Sequence, residues 1–242
     1  VVGHSMGATV ATALAEQSPE LATRVVSIDQ APDDSFEDLS FSAELGYTPV
    51  IGQALKRLTD VAPSSAVRDQ YQQAFAPDFN IASGFEDPDQ VVEDLQAMTY
   101  TAFVDATDAE GDYSGARPLD ERLAAIEIPL LVIFGTEDQI YDAEDSIEPY
   151  RDVPGAELEL IEGSGHSPIV ERPDETAALI LAFSAAPVPG PLPGEKQPGK
   201  GNGKGNGKGK AKGGSADSQA GAGKRDAASG AGGKGANKSP PG

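Results

Sequence analysis

Apolar positions along this chain follow two rhythms. Short runs with little polar interruption, at Val1-Val2, at Val25-Val26-Ser27-Ile28 and from Leu130 to Phe134, predict strands buried on both faces, as in a parallel sheet. Between the first two lies Ala8 to Gln17, an alanine-rich run without glycine or proline that predicts a helix packed closely on a sheet, and Pro19 stops it. Strand, helix and strand make a βα-β unit. From residue 31 to about 118 the rhythm changes to three-to-four spacing. One pattern runs through Val50, Ile51, Ala54, Leu55 and Leu58, a second through Val67, Tyr71, Ala74 and Phe75, and a third through Val91, Val92, Leu95, Met98, Ala102 and Phe103. No strand of comparable strength interrupts them, so this segment reads as a helical insertion. Sheet structure resumes with an amphipathic helix at Leu119, Leu123, Ala124 and Ile126, the strand behind Pro129, and a last strand near Glu157 to Ile161. A helix from Pro173 to about Ala185 closes the folded part.

The strand ends carry polar turns. The first strand runs into Gly3-His4-Ser5-Met6-Gly7, a G-x-S-x-G pattern between strand and helix, in which both glycines are expected to make room for a sharp reversal. The third strand runs into Gly135-Thr136-Glu137-Asp138, and the last into Gly163-Ser164-Gly165-His166-Ser167-Pro168. Asp142 reads as a helix cap, with acids in the first turn after it. The acidic stretch Asp105 to Asp112 departs from a calcium-loop pattern, because Gly111 in the sixth place puts Ala106 first and Arg117 twelfth, so it reads as a solvated loop.

Composition divides the chain near residue 187. The whole has 18 Lys and Arg against 39 Asp and Glu; the last 56 residues hold ten basic and three acidic ones, leaving 8 and 36 before them. The body, 1–186, can bury a core. The segment 187–242, rich in Gly, Lys and Pro, cannot, and reads as a disordered basic tail that could bind polyanions or act as a solubilising extension. The acidic body argues against nucleic-acid binding by the folded part. Zero cysteines exclude disulfides, thiolate metal sites and a cysteine nucleophile. The apolar runs are too short for a membrane span, and nothing fixes a compartment. Ten of the fourteen Phe and Tyr residues lie in the insertion: Phe36, Phe41, Tyr47, Tyr71, Phe75, Phe79, Phe85, Tyr100, Phe103 and Tyr113. They suit either a lid over an apolar substrate or packing against one another.

The turn chemistry points to nucleophilic catalysis. A serine hydroxyl needs a base within hydrogen-bonding reach, and the base needs a carboxylate to hold its tautomer. Ser5, Asp138 and His166 each follow a predicted strand, and parallel strands bring such ends to one sheet edge. His4, beside Ser5 in sequence, cannot readily turn back onto the Ser5 hydroxyl and is assigned to pocket lining or packing, which leaves His166 as the base.

With these three turns in this order, residues 1 to 186 resemble the second half of an α/β-hydrolase. Gly3 to Gly7 resembles that family's nucleophile elbow, Gly135 to Asp138 its acid turn and Gly165-His166 its histidine loop. The resemblance implies a mostly parallel sheet with a helical cap at about 31–118, amino-terminal strands missing from this chain, and no activity for the chain alone. It implies a serine esterase or lipase acting on a small ester, without metal or organic cofactor, with the Met6 backbone N–H in the oxyanion hole. Asp29 and Asp33 keep a minor claim on the acid role, because some relatives carry that acid after the preceding strand, and Glu137 has a weaker one. Thioesterase, peptidase, carbon–carbon hydrolase and perhydrolase chemistries use the same machinery. A non-enzymatic binding protein is the alternative of another class.

Overall fold

The βα-β rhythm becomes a four-stranded parallel sheet in the computed structural model, which describes residues 1–37, 46 and 48–187. Strand β1 (Val2–His4) pairs with β2 (Val25–Ile28), β2 with β3 (Leu130–Gly135), and β3 with β4 (Ala156–Ile161), so spatial order follows chain order. Alternation along the strands divides the core in two. Val25, Leu130, Val132 and Phe134 pack on one face with Leu119, Leu123 and Tyr150, whereas Val26, Ile28, Leu131 and Ile133 pack on the other with Phe183 and Leu179. Every residue of β3 is buried. A strand covered on both faces has no polar side to show, hence its unbroken apolar run.

Helix α1 (Met6–Gln17) connects β1 to β2 and buries Ala8, Ala11 and Ala15, side chains small enough to let it lie close against the sheet. Between β2 and β3 come α2 (Pro49–Thr59), α3 (Ser64–Gln70), α4 (Ile81–Gly84), α5 (Pro88–Ala97) and α6 (Tyr100–Ala116), then α7 (Leu119–Ile126). After β3 come α8 (Ala143–Ile147), capped by Asp142 as expected, and after β4 α9 (Pro168–Glu171) and α10 (Pro173–Ala185). No helix among the described residues is long and apolar enough to cross a membrane.

Two expectations are corrected in the helical segment. The pattern from Val91 to Phe103 is two helices, because Met98 turns extended and the Thr99 side chain caps a new helix, accepting from the Ala102 N–H at 3.0 Å. The spacing survives the break since Leu95, Met98 and Phe103 line one cavity from both sides of it. The acidic stretch Asp105 to Asp112 is the middle of α6, not a loop. Its Glu110 is buried at 9% exposure and bonded to Thr9 and Gln30, and Gly111 leaves room for the Asp34 carboxylate, 2.5 Å from where a Cβ would stand.

The aromatic residues of this segment fall into two groups. Phe75, Phe79 and Phe85 pack on each other, with ring centroids 5.0 to 6.5 Å apart. Tyr71, Tyr100 and Phe103 line an apolar cavity of about 270 Å³ together with Leu55, Leu95 and Met98. Phe41 and Tyr47 lie outside the described residues, as does the basic tail beyond residue 187.

Candidate active site

Ser5 stands between β1 and α1 with φ 52 and ψ −135, a left-handed conformation that a serine adopts only where its surroundings force it. Its backbone N–H is held by the Ile28 carbonyl at 2.8 Å, and its own carbonyl accepts from Ala8. The turn is tight on one side: a Cβ on Gly3 would stand 2.1 Å from the Gly7 carbonyl oxygen. Gly7 itself corrects the expectation, because a Cβ there would meet nothing within 4 Å. Room is needed only under the returning helix, where Gly3 lies. Met6 opens α1, where helix geometry leaves the backbone N–H without an acceptor inside the helix.

The loops after β3 and β4 reach the same sheet edge. His166 Nε2 lies 3.0 Å from Ser5 Oγ, and His166 Nδ1 lies 2.8 Å from Asp138 Oδ2. Asp138 is closed to solvent and His166 nearly so, with side chains 0% and 5% exposed. The other Asp138 oxygen accepts the N–H groups of Ile140 and Tyr141 at 2.7 and 3.2 Å, which fixes the orientation of the carboxylate. A carboxylate on Nδ1 sets the tautomer: the proton sits on Nδ1, and Nε2 turns its lone pair toward the hydroxyl. Such a chain can take a proton from Ser5 and stabilise the imidazolium that results.

Close backbone packing holds the two loops in place. A Cβ on Gly135 would stand 2.1 Å from the Gly165 carbonyl oxygen, and one on Gly165 would stand 2.1 Å from the Ala76 nitrogen. Buried Glu171 spans the same junction. One of its oxygens accepts from Gly165 and Ser167 at 3.0 and 3.2 Å, the other from Ala76 at 2.8 Å, joining the histidine loop to the helical segment. Gln139 adds a bond to the Phe75 carbonyl at 2.7 Å.

His4 turns away from the hydroxyl beside it, and its Nε2–H donates to the His166 carbonyl at 2.5 Å. Burial first, and then the neighbouring His166, lower its pKa to about 4, so it is neutral in the folded protein. Of the other acids weighed from the sequence, Asp33 caps a turn by accepting from Ser35 N–H at 2.9 Å and Glu137 is exposed. Asp29 is different. It is fully buried, accepts the Gly135 N–H at 2.9 Å, and comes together with Asp138 and His166, with one atom of each within 4.8 Å of the others. Among the described residues this is the one such convergence of His and acid side chains. Because Nδ1 of His166 carries the proton shared with Asp138, it has no lone pair to offer a cation. Glu110, Glu171 and the role of Gly165 escaped the sequence reading, and no local pattern marks them.

The sequence model described as "Alpha/beta hydrolase family" matches residues 1–179. An uncharacterized protein of Mycobacterium tuberculosis, Rv2715, is 27% identical over 178 residues, 72% of this chain and 52% of that protein. Human monoacylglycerol lipase ABHD6 is 24% identical over 203 residues, covering 77% of this chain and 54% of the lipase. Among solved structures, MGS-M2, an alpha/beta hydrolase enzyme from a Medee basin deep-sea metagenome library, superposes with a TM-score of 0.56 at 19% identity, covering 79% of this chain and 66% of the other. The chain spans about half the length of the curated relatives it matches.

Proposed function

The chain belongs to the alpha/beta hydrolase family, and from that premise we propose that it is a serine hydrolase cleaving a carboxylic ester by acyl transfer through Ser5. Ser5 Oγ attacks the ester carbonyl as His166 Nε2 takes its proton, and Asp138 stabilises the imidazolium. The Met6 backbone N–H donates to the developing oxyanion. His166 returns the proton to the leaving alcohol, then removes one from the water that attacks the acyl-enzyme, and Ser5 is restored as the acid departs. The helical segment at about 31–118 acts as a cap whose apolar side chains receive the non-reacting part of a small apolar substrate.

One observation carries this reading: the unbroken sequence of hydrogen bonds Ser5 Oγ, His166 Nε2, His166 Nδ1 and Asp138 Oδ2, at 3.0 and 2.8 Å, behind a serine held at positive φ. The ester class is supported by the monoacylglycerol lipase among the relatives. The test is labelling of the gene-encoded full-length protein by a fluorophosphonate, with turnover of a p-nitrophenyl ester measured alongside. Labelling and turnover are both expected, and both should vanish in Ser5→Ala. Asp138→Asn should lower kcat by about a thousandfold or more. Labelling that survives Ser5→Ala would refute the assignment.

A further inference from the structure

Asp29 ends β2 one strand away from Asp138, and none of the steps above uses it. It is fully buried and held at φ 45, in the left-handed region that a non-glycine residue occupies at a cost. One oxygen accepts from Gly135, at the end of β3 just before the acid turn. The other, Oδ2, is buried and meets no N–H or hydroxyl donor among the described residues. Yet one Asp29 carboxylate oxygen lies within 4.8 Å of an Asp138 carboxylate oxygen. Two bare carboxylates this close out of water repel each other strongly, and a proton on one of them removes that repulsion.

The surroundings decide which acid keeps it. Asp138 accepts three N–H groups, from Ile140, Tyr141 and His166 Nδ1. Asp29 accepts one. The ionisable groups acting on Asp29 from the neighbouring loops are Asp138 and Glu171, both acids. His166, the nearby base, spends its Nδ1 proton on Asp138. Burial, and after it the Asp138 charge, accordingly push the Asp29 carboxyl well above the usual carboxylate range.

We propose that Asp29 is a positioning residue whose neutral carboxyl donates a hydrogen bond to Asp138 and holds that carboxylate in line with His166 Nδ1. The contact itself is independent of the hydrolase reading; only its effect on turnover rests on it. Asp29 then acts as an amide would, donating to Asp138 and accepting from Gly135. An asparagine can do both, but an alanine can do neither.

The experiment compares Asp29→Asn and Asp29→Ala in the gene-encoded full-length protein, beside Ser5→Ala. Asp29→Asn should keep kcat within about threefold of wild type, whereas Asp29→Ala should lower kcat by about tenfold or more with KM unchanged. An asparagine variant as damaged as the alanine one, or an alanine variant with wild-type kcat, overturns the proposal. Infrared spectra at neutral pH give the second readout. The carbonyl band of a protonated carboxylic acid should be present in wild type and Ser5→Ala and reduced in Asp29→Asn; an unchanged band overturns the proposal. The band decides alone if Asp29→Ala does not fold, or if no Ser5-dependent turnover is found and the hydrolase reading itself fails.

Discussion

Glu110 on α6 accepts a hydrogen bond at 3.1 Å from Thr9 on α1, the helix that begins beside Ser5. Gln30, just past β2, donates to the same Glu110 oxygen at 3.1 Å. One buried carboxylate thus ties the helical segment to α1 and to the sheet edge. Burial, above all, raises its pKa. Glu110→Ala leaves the Thr9 hydroxyl and a Gln30 N–H without that acceptor, and is expected to cost about 2 kcal/mol in urea unfolding at neutral pH. Glu110→Gln keeps an acceptor in place without the charge and should cost much less. Equal losses in the two variants would mean that charge, rather than the bonded pair, matters at this position.

Glu171 makes the corresponding join at the histidine loop. Because it accepts from Gly165, Ser167 and Ala76, Glu171→Ala strands three backbone N–H groups at a buried junction. The expected result is a loss of about 3 kcal/mol or more by chemical denaturation. Turnover should fall at temperatures where the variant is still folded, because the loop that carries His166 is released. Glu171→Gln retains acceptor atoms but brings an N–H₂ group toward donors, so it should fall between wild type and alanine. A Glu171→Ala variant of wild-type stability would contradict this account.

Those two carboxylates also show what the sequence hides. Each site turn has a local signature, a strand followed by glycine and polar residues, so the positions of Ser5, Asp138 and His166 at one sheet edge were legible, although the burial expected of the first strand was not found, Val1 and Val2 being 39% and 53% exposed. The parallel sheet was legible for the same reason, since Leu130 to Phe134 can be covered only on both faces. Glu110 and Glu171 look like surface acids, and their partners Thr9 and Ala76 lie 101 and 95 residues away along the chain. Asp29 was legible as a rival acid. Its approach to within 4.8 Å of Asp138 was not, because it depends on how two adjacent strands end. The break at Met98 and Thr99 was hidden by a spacing that continues through it, and the acidic run of α6 by a composition that suits loops equally well.

Glu37 should make stability depend on pH. Its backbone bridges to Tyr141, and burial, followed by Asp34 and Glu110, raises its pKa from 4.5 to about 7. A raised carboxyl pKa means that the folded protein holds the proton more tightly than the unfolded chain. The resulting stabilisation is fully present below about pH 4.5 and is lost as pH rises through about 7. Glu37→Gln removes this dependence. Its melting temperature relative to wild type should therefore be higher at a pH of about 8.5 than at a pH of about 4. A difference that does not change with pH would show that Glu37 titrates alike in both states.

His4 works in the opposite direction. Its folded pKa of about 4 lies below the ordinary 6.5, so the unfolded chain binds a proton that the folded protein excludes. The stabilisation is present above pH 6.5 and is lost as pH falls toward about 4. His4→Phe fills similar space but gives up the hydrogen bond to the His166 carbonyl. At a pH of about 7.5 the variant should be less stable than wild type by about 1 kcal/mol, and the gap should close or reverse by a pH of about 4.5. The kinetics separate packing from substrate contact. If His4 serves only to seat the His166 loop, His4→Phe lowers kcat for a p-nitrophenyl ester and leaves KM unchanged. A rise in KM at constant kcat would instead assign His4 to the substrate pocket, with the ring in contact with the bound ester.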